Sequence, residues 1–223
     1  MKILITAATS LELQKIREKA KSMHNCNIDF CITGTGCAFT AYMLTKKLQN
    51  AKFDLVLNIG IAGSFAKDIA IGATVIVENE IFGNLGITYP NKFSTLFDEN
   101  FINANEYPFT NGKLFCKYVN CFNITNLRSV CGLTVDAASG EQNQIDERKK
   151  MFNADIETME GAAFFYVCLS EKIPFLEIRT ISNCIEPRNK NKWKVSLAIE
   201  NLTAETFNLL NNLQLPQTKI IER

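Results

Sequence analysis

The run Asp54-Leu55-Val56-Leu57-Asn58-Ile59-Gly60-Ile61 is almost wholly apolar and leads straight into Ala62-Gly63-Ser64. A strand of that kind has no polar face to give to water. It must be covered on both sides, as strands are in a largely parallel sheet between helix layers. The rest of the chain agrees. Strand-like runs at Lys2–Ala8, Asn27–Thr33, Ala73–Val77, Lys113–Phe122, Val130–Val135, a short one ending at Thr158, and Phe175–Ser182 alternate with helical patterns at Leu11–Met23, Ala38–Leu48, Glu141–Phe152, Glu160–Ser170 and Trp193–Leu213. This alternation predicts an α/β fold: three layers, α/β/α, around a central mixed, largely parallel twisted sheet. A length of 223 residues suits one large domain or two small ones. With no linker or internal repeat in view, residues 1–223 read as a single domain. Thr9 and Ser10 offer capping oxygens to the first helix, which is expected to turn Leu11, Ile16 and Ala20 inward. The stretch from Asn79 to Asn111 is weakly periodic and reads as a long loop, of the sort that serves as a lid or a partner contact. From Leu215 onward the chain reads as a peripheral tail.

Composition narrows the chemistry. Lys and Arg number 24 against 23 Asp and Glu, for a net charge of +1. Interspersed charge so near balance gives no electrostatic reason to expect nucleic acid. No apolar run is long enough to span a bilayer, so no membrane partner is expected. Met1-Lys2-Ile3-Leu4-Ile5-Thr6 enters a strand without a leader pattern, and a cytoplasmic location is expected. The eight cysteines form no Cys-x-x-Cys pair. Cys31, Cys131 and Cys168 sit in apolar runs and read as small buried hydrophobes. The one histidine, His24, is expected at a helix end. With so little histidine, a His-rich metal site is excluded and a catalytic triad could use only His24. Catalysis would lean on carboxylates, amides and arginine, without a cofactor or a metal.

Two neighbouring segments carry such groups. Asp155-Ile156-Glu157-Thr158-Met159-Glu160-Gly161 places a carboxylate where a strand gives way to a helix, and Arg179-Thr180-Ile181-Ser182-Asn183 ends the next strand. Glutamate in a first helical turn is common, but Glu160 can also accept two hydrogen bonds from a ribose diol, and charge-assisted bonds are the strong ones. Met159 would add an adaptable apolar contact, while Asp155 and Glu157 read as solvated. Arg179 on an apolar strand needs a partner if it is buried. Glu12, just past the first strand, is favoured there by capping alone; it could equally orient an attacking water and accept its proton. Glycines 60 and 63 read either as a simple turn or as ligand-lining backbone at a strand end. Gly34-Thr35-Gly36 opens like a dinucleotide fingerprint, but the third glycine would fall at Phe39. A tight turn with amides facing the site fits better.

Together these segments resemble the nucleoside phosphorylase and nucleosidase superfamily, which carries a Met-Glu-(Gly/Ala) ribose clamp followed by an Arg-x-Ile-Ser-Asp/Asn strand. The resemblance covers nearly the whole chain and implies catalytic roles for Glu12, Glu160 and Asn183. It places Ile61, Ala62, Gly63, Thr158, Met159, Arg179 and Ser182 around a small-molecule nucleoside, and it implies a homodimer or higher homo-oligomer. The turn Ala7–Glu12 lacks the arginine with which phosphorylases hold phosphate, so water is the expected nucleophile. Adenine-cleaving nucleosidases carry aspartate at position 183. Asparagine cannot be a general acid, but its amide can donate to N7 or to a 6-oxo group, which favours hypoxanthine as the leaving base. The futalosine-hydrolysing branch carries this Ile-Ser-Asn strand. Its substrate bears a distal carboxylate, for which Arg188, Lys190 and Lys192 are candidate partners. A methylthioadenosine/S-adenosylhomocysteine-type nucleosidase, an inosine-type phosphorylase and a non-catalytic nucleoside-binding protein are the alternatives. Adenine-cleaving relatives also stack the base on a phenylalanine near positions 134–140. That ring is missing here, so either Phe65 or a ring from Asn79–Asn111 takes over, or the base pocket is built differently.

Overall fold

The computed structural model describes residues 1–21, 27–90, 92–119, 121 and 127–213; His24 and the tail from Leu215 lie outside them. In chain order the elements are β1 (Lys2–Ala7), α1 (Ser10–Ala20), β2 (Asn27–Ile32), α2 (Cys37–Asn50), β3 (Leu55–Ser64), β4 (Thr74–Phe82), β5 (Gly86–Tyr89), β6 (Lys92–Thr95) and β7 (Leu114–Phe115). They continue with β8 (Arg128–Thr134), α3 (Gln142–Phe152), β9 (Ile156–Thr158), α4 (Gly161–Ser170), β10 (Phe175–Cys184) and α5 (Val195–Asn212). No helix among the described residues is long and apolar enough to cross a membrane.

The sheet is mixed and largely parallel, as the pattern predicts. It also closes on itself, which the pattern did not disclose. β2, β1, β3 and β10 are parallel neighbours, β4 runs antiparallel to β10, β8 and β9 follow in parallel, and β9 returns antiparallel to β3. Five strands (β3, β10, β4, β8, β9) thus form a ring, with β1 and β2 as an arm. Leu55, Val56, Leu57 and Ile59 of β3 are fully buried, which explains the two-sided apolar run. α1 packs with α5, and α2 with α4. Phe164 and Phe165 of α4 meet Phe175 of β10 edge to face, with centroids 5.6 and 4.8 Å away, a geometry aromatic rings favour. α4 therefore covers the β10 face that carries Phe175 and, by the two-residue period of a strand, Glu177 and Arg179.

Three expectations need correction. The strand expected over Lys113–Phe122 is only β7. Leu114, Cys116 and Tyr118 are buried in strand-like alternation with exposed Phe115 and Lys117. However, β10 takes Thr74–Ile76 on that edge of β4, leaving only Asn79 and Glu80 to pair with β7. Asn79–Asn111 is no simple loop: β4 runs on to Phe82, β5 and β6 form a hairpin, and turns pack Phe97 against Phe109 at 5.0 Å. Finally, α1 buries Glu12, Leu13 and Ile16, while Leu11 is 57% exposed. The inward pull on Glu12 sets this rotation.

Candidate active site

A cleft of about 280 Å³ opens where β1, β3, β9 and β10 end, and Glu12, Ile61, Ala62, Gly63, Thr158, Met159, Glu160, Ser182, Asn183 and Arg188 all line it. Arg179 lies directly behind, 1% exposed. The residues expected to form a site are therefore brought together.

Glu12 both caps its helix and faces the cleft. Thr9 donates to its Oε2 from the backbone N–H at 3.0 Å and from Oγ1 at 2.7 Å, and the Ile61 N–H donates to its Oε1 at 3.1 Å. The cap turns Glu12 inward and a β3 amide fixes it there. The glycines of β3 lie within the strand and make no turn. A Cβ on Gly60 would stand 2.0 Å from Arg179 Nη1 and 2.9 Å from Glu12 Oε1. Glycine here lets a cation and a carboxylate share the space over β3.

Glu160 stands at the mouth of α4. Its Oε1 accepts the Gly36 N–H at 3.2 Å and its Oε2 lies 3.7 Å from Arg179 Nη1. The Gly34–Gly36 turn thus does aim an amide at the site. Burial pushes the Glu160 carboxyl up, Arg179 and the Gly36 amide pull it down, and Glu12 and Glu177 raise it again; the net direction is upward. Arg179 finds its partner in Glu177, with Nε donating at 2.9 Å. Asn58 Nδ2 donates to the other Glu177 oxygen at 2.9 Å, and Thr6 donates to Asn58 at 3.2 Å. Burial opposes the Arg179 charge, but Glu177 and Glu160 outweigh it and the guanidinium stays protonated. Its Nη2 is buried with no hydrogen-bond partner among the described residues.

Sequence reasoning missed Glu80, Glu177 and Glu157. Glu80 is fully buried, accepts from Thr134 Oγ1 at 2.7 Å, and fills space that a Cβ on Gly132 or Gly161 would need, each only 2.1 Å from Oε1. That Gly161 Cβ would also meet Glu177 Oε1 at 2.8 Å, so two carboxyl groups crowd the start of α4. Burial first, and Glu177 second, drive the Glu80 carboxyl well above the ordinary carboxylate range. A signal was available for Glu177, which stands two residues before Arg179 on the same strand face. Glu157, expected in solvent, is 8% exposed and lines the cleft. The Ser139 N–H donates to it at 2.8 Å, the Ser139 hydroxyl donates as well, and Arg148 Nη1 donates at 3.1 Å. Asp155 is half-buried and accepts the Cys131 N–H at 2.8 Å. Both carboxylates hold backbone together instead of facing water.

A register shift between Ile181 and Asn183 puts a bulge in β10. A bulge breaks strand alternation, which is why adjacent Ser182 and Asn183 both reach the cleft. Ser182 Oγ lies 2.7 Å from Asn183 Oδ1 and 3.2 Å from Ala62 O, and Asn183 Nδ2 donates to Cys184 O at 3.0 Å. The Cys184 carbonyl can only accept, which fixes Nδ2 on its side of the amide and leaves one Nδ2 hydrogen for a ligand. Of the three candidate cations only Arg188 lines the cleft, its guanidinium 5.5 Å above the Trp193 ring. Lys192 pairs with Glu186 at 2.7 Å. Among the described residues, neither Phe65 nor any ring of Asn79–Asn111 lines the cleft, and Trp193 is the one aromatic residue that does. Phe65 packs instead with Ile81, Leu133 and Val135. The expected buried thiols hold for Cys31 and Cys168, while Cys131 is half-buried. Beside the cleft, burial and Asp136 push the Cys37 thiol up to about 12, so no thiolate nucleophile is offered.

Residues 21–211 match the model of the Phosphorylase superfamily. The chain is 28% identical over 181 residues to a futalosine hydrolase of Thermus thermophilus, across 80% of this chain and 79% of that one. It is 26% identical over 200 residues to a 5'-methylthioadenosine/S-adenosylhomocysteine nucleosidase of Buchnera aphidicola, across 86% and 77%. The native structure of futalosine hydrolase from Helicobacter pylori superposes with a TM-score of 0.81 at 17% identity, over 96% of this chain and 98% of that one; at that identity it speaks for the fold.

Proposed function

The chain belongs to the phosphorylase superfamily, and on that premise we propose that it hydrolyses the N-glycosidic bond of futalosine, releasing hypoxanthine in menaquinone biosynthesis. The observation that carries this reading is the pair of buried carboxylates Glu12 and Glu160 lining one cleft, with Arg179 behind it 3.7 Å from Glu160 and beside Glu12 over Gly60, and no cation in the turn after β1 to hold phosphate. Glu160 accepts the ribose hydroxyls while Met159 covers the sugar. Glu12 orients a water, and Arg179 Nη2 has a hydrogen free for the same water. The water oxygen bonds to the anomeric carbon, the carbon–nitrogen bond breaks towards the base, and Glu12 receives the proton. Charge developing on the leaving purine meets the Asn183 amide, a donor already held in place at the cleft. The enzyme works in the cytoplasm as a homodimer or higher homo-oligomer. It needs no cofactor, and neither nucleic acid nor membrane is a partner.

A second reading, a methylthioadenosine-type nucleosidase, is favoured by the similarity to the Buchnera enzyme. Incubating purified protein with futalosine and with methylthioadenosine, in phosphate-free buffer, decides between them. Hypoxanthine release from futalosine is expected. Cleavage of methylthioadenosine alone would replace the assignment, and a requirement for phosphate would make the protein a phosphorylase.

A further inference from the structure

Glu177 is a fully buried carboxylate one row beneath the cleft, and the mechanism above gives it no task. An acid in that position is costly to the fold unless its partners use its charge. Strand register supplies those partners. Thr6 of β1 pairs with Asn58 of β3, and Asn58 pairs with Glu177 of β10. Two residues further along, Gly60 pairs with Arg179, which makes the next row on the same face. The lower row is polar from end to end. Thr6 Oγ1 donates to Asn58 Oδ1 at 3.2 Å, and Asn58 Nδ2 donates to Glu177 Oε2 at 2.9 Å. The upper row is a glycine and a guanidinium, with Glu12 and Glu160 of the cleft beside them.

The lower row therefore ends on a carboxylate held at both oxygens. Asn58 holds Oε2, while Oε1 accepts the Arg179 Nε hydrogen at 2.9 Å. Arg179 is in turn gripped at two points, at Nε by Glu177 and at Nη1 by Glu160 at 3.7 Å. A planar fork held twice cannot rotate, so the direction of the unpartnered Nη2 is fixed from below. Charge follows the same route. Arg179 faces Glu177 on its own strand, Glu160 before α4 and Glu12 on α1, and Glu177 acts on it most strongly. Glu80 of β4 faces Glu177 across the start of α4. What Arg179 exerts on the two cleft carboxylates is what remains after Glu177 has drawn on its charge.

We propose that Glu177 is a positioning residue for the hydrolysis: through Nε it fixes the plane of Arg179, so that Nη1 and Nη2 face the cleft carboxylates and the attacking water, and it limits the pull of the guanidinium on those carboxylates. This rests on the hydrolase reading above. Glu177 touches neither substrate nor water, and acts only through Arg179. Asn58 and Thr6 complete the support by keeping the Glu177 carboxylate from turning away.

The test follows kcat and KM against pH in Glu177→Gln and Glu177→Asp, with whichever of futalosine and methylthioadenosine the unaltered enzyme hydrolyses. The glutamine keeps an oxygen for Arg179 Nε without the charge; the aspartate keeps the charge one methylene short. In Glu177→Gln kcat should fall about 10–100-fold, the effect of misplacing a site group by about 1 Å, while KM changes less than about threefold. Glu177 is among the groups that push the Glu160 carboxyl up, and Arg179 pulls it down. Loss of the Glu177 charge should therefore move the acid limb of kcat/KM to lower pH, by about half a pH unit or more. In Glu177→Asp kcat should fall with the acid limb unmoved. A limb that stays put in Glu177→Gln, or an unchanged kcat in either variant, overturns the role of Glu177 alone. Should Glu177→Gln not fold, Glu177→Asp decides: lost kcat at an unmoved limb supports the proposal, and an unchanged kcat or a moved limb overturns it. Failure of both to fold assigns Glu177 to stability and overturns it as well. An unaltered enzyme that hydrolyses neither nucleoside overturns the parent reading with it.

Discussion

In the proposed reaction Glu12 and Asn183 act at opposite ends of the bond to be broken, and single substitutions separate the roles proposed for them. In Glu12→Gln the single amide oxygen can keep either the Thr9 contacts or the Ile61 contact but not both, and the water loses its base. Turnover should fall about 10²–10⁴-fold, the usual contribution of a positioned general base, while calorimetry still shows nucleoside binding. Asn183→Ala removes a donor to the leaving group, and kcat should drop about 10²–10³-fold. Loss of thermal stability with unchanged kcat would show that the amide serves the bulge and not the base. Glu160 sets the acid limit. Its carboxyl is raised, chiefly by burial, and only its ionised form accepts both ribose hydroxyls. Activity should therefore decline, as pH falls, at a pH above the ordinary range of a free glutamate. A kcat/KM profile against pH measures it.

At the scale of elements, the site depends on three strand features that put side chains where alternation alone would not. Gly60 admits Arg179 and Glu12 over β3, the β10 bulge brings Ser182 and Asn183 to one cleft, and the β9–α4 junction delivers Glu160. Gly60→Ala should displace the guanidinium, with loss of activity and of melting temperature together. Removing Glu177 strands a buried cation: Glu177→Leu should cost about 3–5 kcal/mol by denaturant unfolding, the penalty for breaking one side of a buried pair.

The alternation of strands and helices, and the candidate carboxylates and asparagine strand that line the cleft, were legible in the sequence, because they rest on local period and on compact motifs. The ring closure was not, since it needs β10 to pair with β3 and β4, strands distant in sequence. Nor was the inward turn of Glu157. A glutamate in a three-residue strand carries no period of its own, and Ser139 and Arg148, which hold it, come from elsewhere in the chain. The exposed Leu11 has a similar cause, a tertiary hydrogen bond to Glu12 that outweighs the helix's own apolar pattern.

For the molecule as a whole, the buried acids make stability depend on pH. The Glu80 pKa is raised in the fold relative to the unfolded chain. Its contribution is fully present below the unfolded value and is lost as pH rises through the folded one. Urea midpoints should therefore fall from mildly acidic to alkaline pH in the unaltered protein. Glu80→Gln, a neutral mimic of the protonated acid, should flatten that trend and be the more stable protein at the upper end. Arg128–Asp68 at 2.7 Å is by contrast an exposed pair, and its loss should hardly register.

Glu80 also links positions far apart in the chain, because its carboxyl occupies the volume that a methyl group on Gly132 or Gly161 would claim. The three sites can only drift together. A lineage that trades Gly161 for alanine, giving Met-Glu-Ala at the ribose clamp, must move or replace the Glu80 carboxyl. The third letter of that clamp therefore reports on the opposite strand of the ring, and an alignment of relatives should show glutamate at 80 and alanine at 161 excluding one another.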